Sequence, residues 1–242
     1  MIKEITSKTN QLVKYFNKLK DTSFMKEEKK FLIEGMHLIE MAKDYLECVI
    51  SEKPLENDYN ITNYIVSKEI MEKLSSHKST SKVIGVCRFI EEKPINSDFL
   101  IYLDDVQDPG NFGTIVRSAL AFGIKDVLIS TNNVFQYNSK FIQSSQGAIF
   151  KSNIIRVESN MLKELQSKGY QVIVSTLEDG AIDLSCYKQT SKKIVLVLGN
   201  EGNGVCKEIT KLSDLKVKIE MNNIDSLNVA VAAGILMYTL NK

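Results

Sequence analysis

The sequence contains no apolar run of the length that a membrane-spanning helix needs, about 20 residues. Its start, MIKEITSKTN, lacks the apolar stretch of a signal peptide. A cytoplasmic protein with no membrane partner is expected. Metal-ligating residues are scarce too: Cys48, Cys87, Cys186 and Cys206 show no paired spacing, and His37 and His77 are the only histidines. This pattern argues against a Cys/His metal site, so no metal is expected and the thiols read as reduced core residues. Charge of one sign is also missing. A formal net charge of +1 leaves no electrostatic footprint for nucleic acid by itself. Locally the balance tilts, since residues 1–30 hold eight lysines against four acidic residues. A solvated helix face explains that tilt as readily as an RNA contact does.

What is present is apolar content of 43% over 242 residues, ample for one large domain or for a small one joined to a medium one. Residues 8–20 place Leu12, Val13, Phe16 and Leu19 at helical spacing among lysines. FLIEG at 31–35 reads as a strand turning into a helix over 36–43, and CVI (48–50), YIVS (64–67) and VIGVCRF (83–89) read as strands, with a helix near 68–75. The charged, proline-containing EEKPINSD at 91–98 reads as a boundary. The expected division is a smaller α/β unit over 1–94 and a larger unit over 95–242. In the second, FLIYLDDV, DVLIS, YQVIVST and KKIVLVLG are continuous apolar runs separated by helical segments. Such runs suit strands covered on both faces, which predicts an α/β fold with a mostly parallel sheet flanked by helices. Ligands of such sheets sit at the carboxyl ends of strands.

Three of those ends carry unusual residues. In DDVQDPGNFGTIVRSALAFGI (104–124), Asp108, Pro109 and Gly110 make a turn, Asn111 is expected as N-cap, and Gly123 closes the helix. Arg117 lies four residues after Gly113, and it is one of only three arginines, with Arg88 and Arg156, in a chain that otherwise uses lysine. A planar fork that grips phosphate or carboxylate would explain it, and so would a surface pair with Asp104 or Asp105. In KKIVLVLGNEGNGV (192–205), Gly199, Gly202 and Gly204 allow close backbone approach around Glu201. Their order, G-x-x-G-x-G, matches neither the dinucleotide fingerprint nor a P-loop. The third stretch, IEMNNIDSLNVAVAAGILMY (219–238), ends in a helix apolar nearly all round, which predicts burial nearly all round. Its first turn is polar. Ser226 or Asp225 is expected to cap it, which leaves Asn228 without an explanation.

Taken together, N-F-G-x-x-x-R (Asn111, Gly113, Arg117), L-G-N-E-G-N-G (198–204) and I-x-M-x(4)-S-L-N-V (219–229) resemble, in order and separation, the three motifs of the SpoU (TrmH) family of RNA ribose methyltransferases. S-S-Q-G-A at 144–148 adds a fourth similar element, and N-x-x-V-K near the start with FLIEG resembles the substrate-binding domain that often precedes the catalytic one. Two positions depart from the pattern, Glu220 where proline is frequent and Ala230 where serine is.

The resemblance implies a trefoil knot in the second unit, a homodimer, and S-adenosylmethionine as methyl donor, held by Thr176, Leu198, Gly199, Gly202, Ile219, Met221 and Leu227. It implies transfer to a ribose 2′-hydroxyl of RNA, with ribosomal RNA favoured over transfer RNA. The catalytic set would be Asn111, Arg117, Glu201, Ser226 and Asn228, with Lys14, Lys18, Lys20 and Lys29 as candidate RNA contacts. The last helix would then bury its apolar body in the knot and at the subunit interface. Transfer-RNA methylation, a non-catalytic RNA-binding or ribosome-assembly module of the same fold, and a nucleotide-dependent oxidoreductase are the rival readings. The reversed glycine spacing speaks against the last.

Overall fold

The computed structural model describes residues 1–56, 59–76 and 81–241, so His77 lies outside the described residues. By internal contacts the chain divides into two units, one formed by Met1–Glu91 with Tyr137–Phe150 and the other by Glu92–Gln136 with Lys151–Lys242.

The first unit contains β1 (Ile2–Ile5), α1 (Gln11–Lys18), α2 (Thr22–Glu28), β2 (Lys30–Glu34), α3 (Met36–Met41), β3 (Leu46–Ser51), β4 (Thr62–Val66), α4 (Lys68–Leu74) and β5 (Val83–Arg88). The chain continues through β6 (Phe99–Leu103), α5 (Pro109–Ala121) and β7 (Asp126–Ile129) of the second unit, and returns to the first with α6 (Ser139–Ser145). The rest belongs to the second unit: β8 (Asn153–Arg156), α7 (Met161–Ser167), β9 (Gln171–Ser175), β10 (Ile182–Asp183), β11 (Ile194–Leu198), α8 (Lys207–Leu212), β12 (Leu215–Lys218) and α9 (Val229–Leu240).

The first sheet runs β1-β4-β3-β5-β2, parallel at the β1 side and antiparallel where β5 pairs with β3 and β2. The amphipathic spacing of α1 buries Val13 and Phe16, with Leu19 just beyond it, against Ile50, Ile70, Met71 and Ile84. Asn10 starts that helix by accepting from the Leu12 amide at 2.8 Å. The returning segment is built into this unit. A Cβ at Gly147 would stand 2.3 Å from Met41 Sδ, and the Tyr137 ring stacks on Phe89 with centroids 4.0 Å apart.

The second sheet has seven strands in the order β10-β12-β9-β11-β6-β7-β8, and every pairing is parallel. All five residues of β6 and of β11 are buried, as strands covered on both faces require. Full burial of each such valine, leucine or isoleucine is worth about 1.5–3 kcal/mol. Because the strands are parallel, their carboxyl ends share one edge, and register decides which loops meet there. Leu198 pairs with Leu103, so Gly199 and Asp104 leave the sheet side by side, and the Asp104 amide donates to Leu198 O at 2.8 Å. Likewise Val217 pairs with Ser175, and the Thr176 amide donates to Val217 O at 3.0 Å.

Three local expectations are corrected. Asp108, not Asn111, caps α5, accepting from the Asn111 amide at 2.8 Å. Asn228, not Ser226 or Asp225, caps α9, its Oδ1 accepting from the Ala230 and Val231 amides at 2.9 and 3.3 Å. And within a single chain α9 is not buried all round, leaving open the face expected at a subunit interface. It packs on α5 and β11 but leaves Val231, Ile235 and Tyr238 exposed at 52%, 38% and 67%, a stripe at the i, i+4, i+7 spacing of one helical face.

Candidate active site

The carboxyl ends of β9, β11 and β12 surround a cavity of about 730 Å³, a volume in the range of small-molecule and cofactor sites. Thr176 and Glu178 follow β9, residues 199–205 follow β11, and Ile219, Met221, Ser226, Leu227 and Asn228 follow β12. Thus the seven residues expected around a methyl donor, Thr176, Leu198, Gly199, Gly202, Ile219, Met221 and Leu227, all line one cavity, together with Glu201, Ser226 and Asn228.

The wall after β11 is shaped by a backbone that folds onto itself. Asn200 and Gly204 exchange amide-to-carbonyl bonds of 3.0 Å, and Gly204 takes the left-handed conformation with φ 69°. A Cβ at Gly199 would stand 2.1 Å from the Gly204 carbonyl carbon and 2.2 Å from the Val205 nitrogen, so no side chain fits there. Asn200 locks the turn from within. Its Oδ1 accepts from the Gly202 and Asn203 amides at 2.8 and 3.0 Å, and its Nδ2 donates to Asp105 O at 2.9 Å. Glycine backbone and the apolar side chains of Ile219, Met221 and Leu227 line the same space, which suits a nucleoside-like group held by main chain.

Beside the cavity, residues from three distant segments join. Glu201 accepts at Oε1 from Asn111 Nδ2 (3.0 Å) and the Asp108 amide (3.2 Å), and at Oε2 from the Gln107 amide (3.2 Å). Burial pushes this carboxyl's pKa up, but the bonds from Asn111 and from backbone amides outweigh it and hold the group below its ordinary value. Asn111 passes the link on, since its Oδ1 accepts from Asn228 Nδ2 at 2.9 Å. Capping of α5 by Asp108 is what leaves the Asn111 side chain available for both neighbours.

Arg117 stands apart from this network. It is exposed on α5, where Gly113 is buried, it does not line the cavity, and among the described residues its guanidinium forms no hydrogen bond or ion pair, with Asp104 and Asp105 or any other. Asp104 is instead bonded by the Cys206 amide at 2.7 Å. In the first unit, Lys14 and Lys29 are exposed, Lys18 lies over the Phe24 ring at 5.5 Å, and Lys20 donates to Lys73 O and Ser75 O at 2.8 and 2.9 Å. Lys20 therefore has a structural task, satisfying carbonyls at the end of α4.

Sequence reasoning missed Leu177, Glu178 and Lys218 in the cavity wall, and Gln107 and Asp108 as partners of Glu201. Leu177 and Glu178 come just after the apolar run of β9, a signal that would have found them, whereas Lys218 ends the alternating LKVK of β12. Leu177 is 58% exposed at the rim.

Residues 98–238 match the SpoU rRNA Methylase family, and residues 10–85 match the MRM3-like substrate binding domain. The chain is 32% identical, over 99% of both lengths, to the 23S rRNA (guanosine(2553)-2′-O)-methyltransferase RlmP of Bacillus subtilis. Its fold is similar to that of the AdoMet-bound rRNA methyltransferase from Sinorhizobium meliloti, with a TM-score of 0.89, 24% identity and coverage of 99% of this chain and 97% of that one. It is also similar to the SpoU methyltransferase AviRb from Streptomyces viridochromogenes, in complex with AdoMet, with a TM-score of 0.82, 22% identity and coverage of 96% and 97%.

Proposed function

The chain belongs to the SpoU rRNA Methylase family, and from that membership and its pocket we propose how it transfers a methyl group from S-adenosylmethionine to a ribose 2′-hydroxyl of ribosomal RNA. The cavity at the carboxyl ends of β9, β11 and β12 carries this reading, because every residue that would hold the donor already lines it. S-adenosylmethionine, when bound, supplies a methyl carbon on a sulfonium, open to in-line attack by an oxygen. The rest falls to the protein. The main chain at Leu198, Gly199 and Gly202 would border the donor, and Thr176, Ile219, Met221 and Leu227 would enclose it.

On the acceptor side the requirement is placement within a near-attack distance and stabilisation of charge on the hydroxyl oxygen. Glu201, Asn111 and Asn228 are positioning residues in this scheme, since their side chains bond one another, and Ser226 at the cavity wall contacts the reacting groups. Arg117 binds the nucleotide's phosphate and stabilises the developing alkoxide. Guanidinium groups do not serve as bases in proteins, so the hydroxyl proton leaves to the RNA phosphate or to water.

The protein works as a homodimer in this reading. Support comes from the exposed stripe Val231, Ile235 and Tyr238 on α9, the helix that packs on α5, which carries Arg117. A trefoil knot is part of the same proposal, supported by β12, late in the chain, lying between β9 and β10 while Asn228 beyond it reaches Asn111. Residues 1–94 would bind RNA, using Lys14, Lys18 and Lys29 and, less directly, Lys20, while 95–242 would form the methyltransferase domain. A cytoplasmic location fits an RNA substrate and four free cysteines.

The test is to titrate S-adenosylmethionine and NADH into the purified protein, then supply labelled donor with separate ribosomal and transfer RNA from a strain lacking the gene. Binding of the first ligand alone and label in ribosomal RNA are expected. Label in transfer RNA alone would favour that substrate instead, and donor binding with no label in any RNA would favour a non-catalytic module.

A further inference from the structure

Of the three arginines, Arg156 makes the most bonds, and no catalytic motif includes it. It ends β8 at the sheet edge that carries the active site. Its Nη1 donates to Ser130 O, Thr131 O and Asn133 O at 2.7, 2.9 and 3.0 Å, and its Nη2 donates to Val134 O at 3.4 Å and Gln136 Oε1 at 3.3 Å. Four main-chain carbonyls from the segment after β7 thus converge on one guanidinium. Carbonyls turned inward on a common point need a cation with several donors in a plane. Lysine offers one point charge with three donors and cannot span them.

The segment so gathered holds another. Ser130 Oγ accepts from the Asp105 amide at 2.9 Å, Asn133 Oδ1 accepts from the Val106 amide at 2.9 Å, the Val134 amide donates to Val106 O at 3.0 Å, and Gln107 Nε2 donates to Asn132 O at 2.9 Å. Residues 105–107 are therefore gripped on this side by 130–134, and on the other by Asn200 and Glu201. Asp105 is held in the left-handed conformation, φ 60°, a backbone state that a non-glycine residue adopts when its surroundings impose it. Directly after residues 105–107, Asp108 caps α5, which carries Asn111 and Arg117. Asn133 is 5% exposed, so the grip is built into the interior rather than laid on the surface.

We propose that Arg156 is a positioning residue of the methyl-transfer site: by gathering the carbonyls of 130–134 it fixes the turn 104–108, and with it the start of α5 and the acceptor-side groups Asn111 and Arg117. It acts on placement of the acceptor and not on the donor, because neither Arg156 nor residues 130–134 line the donor cavity. The inference rests on the function proposed above for its kinetic consequence, and on geometry alone for its structural one.

The experiment compares the full-length parent with Arg156→Lys and Arg156→Ala in three measurements: calorimetric titration with S-adenosylmethionine, single-turnover methyl transfer to ribosomal RNA, and amide hydrogen exchange. Donor affinity should stay within about twofold. Transfer should slow on the order of tenfold to a hundredfold, as misplacement by remote substitutions does, with Lys between the parent and Ala. Exchange over 104–111 should accelerate while β9 keeps its protection. Unchanged exchange over 104–111, or a transfer rate within about twofold of the parent, overturns the proposal, and so does a donor affinity that falls in step with the rate. Should Arg156→Ala not fold, Arg156→Lys carries the same three measurements. A parent that methylates no RNA defeats the functional reading alone, and the exchange data then decide whether Arg156 fixes the turn.

Discussion

Asn228 donates its side-chain amide to the Oδ1 of Asn111, 117 residues earlier in the chain, at 2.9 Å. The same asparagine caps α9 through its own Oδ1. One side chain therefore both starts the last helix and ties it to the start of α5. The polar first turn of an otherwise apolar helix has a physical reason: its polarity is spent on a cap and on a link between two segments of the site.

These two tasks can be separated. Asn228→Ala should lose the cap, worth about 1 kcal/mol, and lower the melting temperature by roughly 2–4 °C for a chain of this size. Asn228→Ser keeps a capping oxygen but has no amide for Asn111. It should melt close to the parent and still transfer methyl groups about tenfold more slowly. Calorimetric melting with single-turnover assays checks both; equal losses of stability in the two variants would deny the division of labour.

The glycine turn makes a contrast between neighbours. Gly199→Ala forces a Cβ into backbone at 2.1 Å, whereas a Cβ at Gly202 meets nothing nearer than Asn200 Oδ1 at 3.6 Å. The first variant should unfold the turn, costing about 1–3 kcal/mol as overpacking does, and weaken donor affinity tenfold or more. Gly202→Ala should keep the parent's stability, so any loss of affinity there reports the approach of the donor itself. Titration calorimetry and denaturant unfolding distinguish the two.

Much of the second unit was legible in the sequence because strands covered on both faces read as unbroken apolar runs, as β6, β7, β9 and β11 do. β1, β8 and β10 were not. β10 has two residues, β8 is a four-residue edge strand, and β1 buries only Ile5. In the site, the family resemblance implied the lining residues, but local rules could not assign the caps. Asp108 and Asn111 are equally good N-caps by preference, and only the distant carboxylate of Glu201 decides which side chain is left for other work. Arg156 was unreadable for a related reason, since four of the five acceptors of its guanidinium are main-chain carbonyls, which every sequence has.

Glu201 gives a pH dependence with a definite sign. Its pKa is lower in the folded protein than in the unfolded chain, so its contribution to stability is fully present above the ordinary carboxylate range, and it is lost as pH falls through the depressed native value. The stability difference between the parent and Glu201→Gln, followed by denaturant unfolding, should therefore be constant through neutral pH and shrink only in acid. A difference that changes between pH 6 and 8 would assign the titration to another group.

The exposed stripe on α9 predicts an assembly. Ile235 is 38% exposed and Tyr238 is 67% exposed with its ring near Phe122, so Ile235→Asp should cost a lone chain little. It should convert a sedimenting dimer into a monomer and reduce methyl transfer with it. A parent that sediments as a monomer at the assay concentration contradicts the homodimer.

The most direct test of the whole account is to map the label left by the protein on ribosomal RNA after alkaline hydrolysis. A methyl group on a ribose 2′-oxygen blocks cleavage of the adjoining phosphodiester, so the account predicts label in an alkali-stable dinucleotide, and its loss with Arg117→Ala although donor binding persists. Label released in mononucleotides, as from a methylated base, or full transfer by Arg117→Ala, would contradict it.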